Sequence, residues 1–135
     1  MRSNTQAVTL DAPVGAAFDF LADPENLPRW AVGFCHGIRR QDGHWIVTTA
    51  QGDVGIRYAT NRELGTIDFH ISPAPGVETV AFSRILQNGD GAEYVFTQFQ
   101  TPAMPDLVYE GQVAALAHEL YILQALFRAR AACPT

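Results

Sequence analysis

Lysine is absent from the chain: its nine basic residues are all arginine, at Arg2, Arg29, Arg39, Arg40, Arg57, Arg62, Arg84, Arg128 and Arg130, and the net charge is -5. Scattered cations on an acidic chain offer no basic face to a phosphate backbone, so nucleic acid is not an expected partner. Cysteine is nearly as scarce. Cys35 and Cys133 make no disulfide framework and read as free thiols of a reducing compartment. No run approaches the ~18 consecutive apolar residues of a membrane span, and residues 1–6 lack the charged-then-apolar pattern of a secretory signal. The expectation is a cytoplasmic protein without a membrane span. No glycine-rich loop joins a strand to a helix; Gly52, Gly55 and Gly65 fit turns and sheet bending instead. His118 and Glu119 lack a further ligand at zinc spacing, and no serine sits in a nucleophile elbow. No metal and no cofactor is therefore expected.

With 135 residues, 47% of them hydrophobic and 17% charged, the chain can bury a real core and reads as one domain over 1–135. Its longest periodic stretch covers 105–130. Tyr109, Val113, Leu116, Leu120, Leu123 and Phe127 recur at steps of four and three, which is one stripe of a helix. Val108, Ala115, Ile122 and Leu126 widen that stripe, and Glu110, Gln124 and Arg128 lie opposite. His118 should face solvent. The small residues Gly111, Ala114, Ala117 and Ala125, with Tyr121, form an outer face that permits a homodimer contact, although alanine needs no partner to favour a helix.

Upstream, residues 6–10 alternate as a first strand, and Asp11-Ala12-Pro13 opens a short helix with Val14, Phe18 and Leu21 on one face. Asp23-Pro24 ends it and caps a second short helix towards Trp30. Residues 35–100 then read as antiparallel strands joined by turns at Asp42-Gly43, Gln51-Gly52 and Leu64-Gly65. Those turns pair Arg40 with Trp45, Val47 with Ile56, Trp45 with Tyr58, Thr60 with Phe69 and Tyr58 with Ile71. The shared inner face holds His36, Ile38, Trp45, Val47, Thr49, Val54, Ile56, Tyr58, Thr60, Ile67, Phe69 and Ile71; the outer face holds Arg39, Gln41, His44, Thr48, Arg57, Asn61, Asp68, His70 and Ser72. Two more strands flank Asn88-Gly89-Asp90-Gly91. Periodicity leaves their inner face open between Ala81, Ser83, Ile85, Tyr94, Phe96 and Gln98 and the alternative of Val80, Phe82, Leu86, Val95 and Phe99.

A strand, two short helices, about six antiparallel strands and a long terminal helix is the order of the α+β helix-grip fold. On Val8-Thr9-Leu10-Asp11-Ala12-Pro13, the run Phe18 to Trp30, Gly89-Asp90-Gly91-Ala92 and Glu119-Leu120-Tyr121-Ile122-Leu123, nearly the whole chain resembles the polyketide cyclase/dehydrase and lipid-transport family of the START/Bet v 1-like (SRPBCC) superfamily. The resemblance implies a curved sheet of about seven strands around the helix, with a mostly apolar cavity between them. It also favours Tyr94, Phe96 and Gln98 as inner residues, although the family commonly has an apolar residue where Gln98 stands.

An apolar pocket with a few convergent polar groups is the usual small-molecule site. The expected partner is a small hydrophobic or aromatic molecule, lipid, quinone or polyketide-like, touching Trp30, Phe34, His36, Trp45, Val47, Ile56, Tyr58, Phe69, Ser83, Tyr94, Phe96, Gln98, Leu116 and Leu120. An enzyme of the cyclase or dehydratase type is the alternative, with His36, Tyr58 or Tyr94 moving a proton. For His36 a hydrogen-bonded rim or core histidine ranks above a catalytic one, and for both tyrosines packing ranks above catalysis. A third reading has the cavity filled and the domain acting through a protein partner.

Overall fold

In the computed structural model, which describes residues 1–132, the chain begins with strand β1 (Ser3–Leu10) and helix α1 (Val14–Leu21). A 3-10 turn over Pro24–Asn26 leads into the one-turn helix α2 (Leu27–Trp30). Asp23 caps that turn by accepting the Glu25 N–H at 3.0 Å, and Pro28 sits where a missing N–H costs nothing. Six strands follow: β2 (Gly37–Gln41), β3 (His44–Thr49), β4 (Gly52–Asn61), β5 (Thr66–Ala74), β6 (Val77–Asn88) and β7 (Gly91–Phe99). Helix α3 (Asp106–Ala131) closes the described chain. Cys133 lies outside the described residues.

The seven strands form one curved antiparallel sheet in the order β1-β7-β6-β5-β4-β3-β2. Each strand from β2 to β6 pairs with its successor, and β1 crosses to pair with β7, which places the N-terminus beside the C-terminal helix. The fold is the helix grip expected from the element order. Tyr109, Leu116, Leu120, Leu123 and Phe127 of α3 are buried as the stripe predicts, while His118 and the small-residue face are exposed. Two glutamines fasten the helix to β1: Gln6 Nε2 donates to the Val113 carbonyl at 3.0 Å, and Gln124 Nε2 donates to the Thr9 carbonyl at 3.0 Å. No helix among the described residues is long and apolar enough to cross a membrane.

Two hairpin registers differ from the sequence expectation, each by two residues. Trp45 pairs with Ile56 and Val47 with Val54, because the turn falls on residues 50–51, where Thr49 Oγ1 donates to the Gly52 carbonyl at 2.7 Å. Tyr58 pairs with Phe69 and Thr60 with Ile67, because four residues, 62–65, make the next turn. There Asn61 Oδ1 accepts the Leu64 N–H at 3.0 Å. A slip of two preserves the side on which every residue lies, so the expected faces survive both corrections. Two residues of the expected inner set do not end up inside: His36, before the first residue of edge strand β2, and Thr60, beside the β4–β5 turn, are both exposed.

Candidate functional site

The concave side of the sheet is built from alternate residues of all seven strands. Ser83 and Ile85 of β6 and Tyr94 of β7 are buried there, whereas Phe82, Leu86 and Phe99 are exposed on the other side. The first of the two possible sets on β6 and β7 is therefore the inner one. Trp30, Val47, Ile56, Phe69, Tyr94, Leu116 and Leu120 share one buried apolar cluster, with Phe34, Trp45, Tyr58 and Phe96 packed against it. Every apolar or aromatic residue expected to line the interior is thus brought together. His36 is not among them: its backbone N–H joins the Thr48 carbonyl at 2.8 Å, and its exposed side chain removes it as an interior acid or base.

Aromatic rings form a continuous line across this face. Tyr58 meets Phe69 edge-on with centroids 4.9 Å apart, and Phe69 stacks on Phe96 at 5.7 Å. Phe96 meets Tyr94 at 6.2 Å, and Tyr94 meets Trp30 of α2 at 6.1 Å. These are the offset and edge-to-face arrangements that ring quadrupoles favour. On β6, small residues stand between the larger ones: Ala81 opposite Phe69 and Ser83 opposite Phe96. The Ser83 hydroxyl donates to the Ile67 carbonyl at 2.7 Å, so its proton is committed inside the sheet while its oxygen stays open as an acceptor beside Tyr94.

Among the described residues, three buried polar atoms on the concave side make no well-formed hydrogen bond, Tyr58 Oη, Tyr94 Oη and Gln98 Nε2, although the Ser83 hydroxyl stands close enough to Tyr94 to ease its ionisation. Burial raises the pKa of both phenols; the Ser83 hydroxyl offsets part of the rise at Tyr94, and neighbouring acidic groups add to it, Tyr94 for Tyr58 and Glu119 for Tyr94. Both tyrosines are consequently neutral hydrogen-bond donors at any physiological pH. Cys35 is buried at the same end, its thiol donating to the Gly37 carbonyl at 3.3 Å and pushed up in pKa by burial.

Glu119, which the sequence reading weighs only as a metal ligand and sets aside, is buried here. It is 6% exposed, and its Oε2 accepts the backbone N–H groups of Gly33 and Phe34, each at 3.1 Å. Desolvation pushes the carboxyl up to about 7, the two N–H bonds offsetting only part of that rise. The signal was available in the helical wheel. Position 119 lies between the stripe of Leu116 and Leu123 and the flank of Ala115 and Ile122, so an acid there had to be buried.

A separate groove of about 490 Å³ lies on the outer face, lined by Gln41, His44, Arg57, His70, Ser72 and Glu78 among others. His70 Nδ1 and Glu78 Oε1 are paired across it at 3.0 Å. Its polar groups are satisfied or open to water, unlike the three on the concave side. No group of three or more His, Cys, Asp or Glu able to hold a metal occurs among the described residues.

No family model and no characterised protein sequence matches the chain. Solved structures do. The Aha1 dimer from Colwellia psychrerythraea aligns with a TM-score of 0.74 at 12% identity, over 94% of this chain and 96% of that one. One half of the di-domain ARO/CYC protein BexL, of the BE-7585A biosynthetic pathway, aligns at 0.70 and 15% identity over 93% of this chain and 46% of that one. Ara h 8.0201 aligns at 0.66 and 14% identity over 95% and 98%. At such identities the likeness is one of fold, and that fold is the helix grip shared by Bet v 1-like and ARO/CYC proteins.

Proposed function

We propose that this chain belongs to the polyketide cyclase/dehydrase and lipid-transport branch of the SRPBCC superfamily and binds a small hydrophobic or aromatic molecule between its sheet and α3. The observation that carries the reading is the set of three buried donors that make no well-formed hydrogen bond among the described residues, Tyr58 Oη, Tyr94 Oη and Gln98 Nε2, on the side of an otherwise apolar and aromatic interior. Buried polar groups are almost always hydrogen-bonded, and leaving one unpaired costs about 1–3 kcal/mol. A guest with acceptor atoms on an apolar frame removes that cost while its frame gains the contacts of Phe69, Phe96 and Trp30. The test is titration with the neutral fluorescent probe N-phenyl-1-naphthylamine, followed by displacement with quinones, polyaromatic ketones and lipids. Saturable binding and displacement are expected. If no compound saturates, the interior is filled and a protein partner becomes the better reading.

The neutrality of Tyr58 and Tyr94 favours a second reading, in which the two phenols polarise a guest carbonyl and the pocket folds a reactive polyketone chain towards cyclisation or dehydration. Under this reading Tyr58→Phe and Tyr94→Phe each lower turnover of such a chain, and His36→Ala leaves it unchanged.

A further inference from the structure

Between α2 and β2 the chain crosses one end of the concave face in residues 31–36, carrying Phe34 half-buried and Cys35 buried beneath it. Among the described residues, one side chain of α3 hydrogen-bonds this segment: Glu119, through Oε2 to Gly33 N and Phe34 N. The fit is close. A Cβ added at Gly33 would stand 3.2 Å from Ala115 Cβ and 3.5 Å from Glu119 Oε2, so the glycine lets the segment sit on the helix. The second carboxyl oxygen, Oε1, makes no hydrogen bond among the described residues and is the free position for a proton.

We propose that Glu119 is a proton-governed clasp, a positioning residue that keeps residues 31–36 closed over the interior when its carboxyl is protonated and releases them when it is ionised. The proposal rests on the reading that the interior admits a guest. The direction follows from linkage. In the closed form the carboxyl titrates at about 7, above the ordinary 4.5, because desolvation of the charge outweighs the two N–H bonds. An open form lets water reach the carboxylate, so it binds the proton less tightly, and raising pH through 7 shifts the segment towards open. Two other titratable groups lie within electrostatic reach, Cys35 in the segment and Tyr94 on β7. Burial raises both, so they stay neutral throughout this range. Arg29 on α2, His36 after the segment and His118 on α3 are exposed, and none forms an ion pair with Glu119.

The guest-free protein provides the first test. Between pH 5.5 and 8.5 the amide resonances of Gly33 and Phe34 should titrate with a midpoint near 7, and their protection against hydrogen exchange, corrected for the intrinsic rate, should fall on the alkaline side. Glu119→Gln keeps a neutral acceptor of the same shape and should abolish both effects. Amides that do not titrate, or protection that rises with pH, would overturn the clasp. Dissociation of N-phenyl-1-naphthylamine supplies the second test, with release roughly tenfold faster at pH 8.5 than at 5.5 in the natural protein and slow at both in Glu119→Gln. Release that ignores pH while the amides titrate would overturn control of access. A probe that never binds defeats the binding reading alone, and the amides still decide whether the clasp exists.

Discussion

A hydroxyl buried without a partner is a liability to the empty protein and an asset to the occupied one, so Tyr94 makes opposite predictions for stability and for binding. Its side chain is fully buried, and its Oη makes no well-formed hydrogen bond among the described residues, with the Ser83 hydroxyl as its one polar neighbour of note. Tyr94→Phe should leave the rings of Trp30 and Phe96 in contact and stabilise the guest-free protein by about 1 kcal/mol, read by urea denaturation. The same variant should weaken any guest that uses the hydroxyl; a loss of stability with unchanged affinity would mean that the hydroxyl is already satisfied. Glu119 makes a prediction in pH. Its folded-state pKa of about 7 exceeds the ordinary 4.5, so its contribution to stability is fully present below 4.5 and is lost as pH rises through 7. The loss is on the order of 3 kcal/mol by pH 8, and Glu119→Gln should flatten that dependence and be the more stable protein at pH 8. Denaturation at pH 5 and 8 checks it.

At the scale of elements, the turns explain both what was legible and what was not. Asp42-Gly43 announces its own geometry, and both residues do take positive φ, 52° and 79°, so Arg40 pairs with Trp45 as expected. The next two turns mislead because glycine marks the end of the turn and not its centre. Gly52 begins β4 with φ 115°, and Gly65 closes a four-residue loop with φ 74°. Strand alternation carries only parity, which is why the faces were readable while the pairing slipped by two. Gly65 also has a role that no local pattern reveals. Its carbonyl accepts the Ile85 N–H at 2.8 Å, and a Cβ there would lie 2.5 Å from the Ile85 carbonyl oxygen. Gly65→Ala should therefore cost at least about 2 kcal/mol, the left-handed backbone and the backbone clash acting together. A cost below 0.5 kcal/mol in thermal or urea unfolding would show that the loop moves aside freely.

Over the whole molecule, the long stripe of α3 required a broad apolar partner, and the sheet supplies it, so the helix grip was readable from periodicity and element order. The interior chemistry was readable only in part. Phe69 was placed inside by alternation, and Tyr94 and Phe96 by the family resemblance where periodicity left two choices, but His36 lost its place because β2 is an edge strand and its approach is open to water. The burial of Glu119 was legible on the helical wheel, but its role was not, because its partners are backbone N–H groups 85 and 86 residues away, which a sequence pattern does not display. The outer face adds an apolar patch of its own, with Phe82 and Phe99 edge-on at 6.1 Å and both exposed. That leaves two faces on which an apolar probe can settle, and their separation decides the account. The direct measurement is the set of intermolecular nuclear Overhauser contacts from bound N-phenyl-1-naphthylamine. The predicted result is contacts to the rings of Phe69, Tyr94 and Phe96 on the concave side; contacts confined to Phe82 and Phe99, or to His44 and His70 in the outer groove, would contradict it.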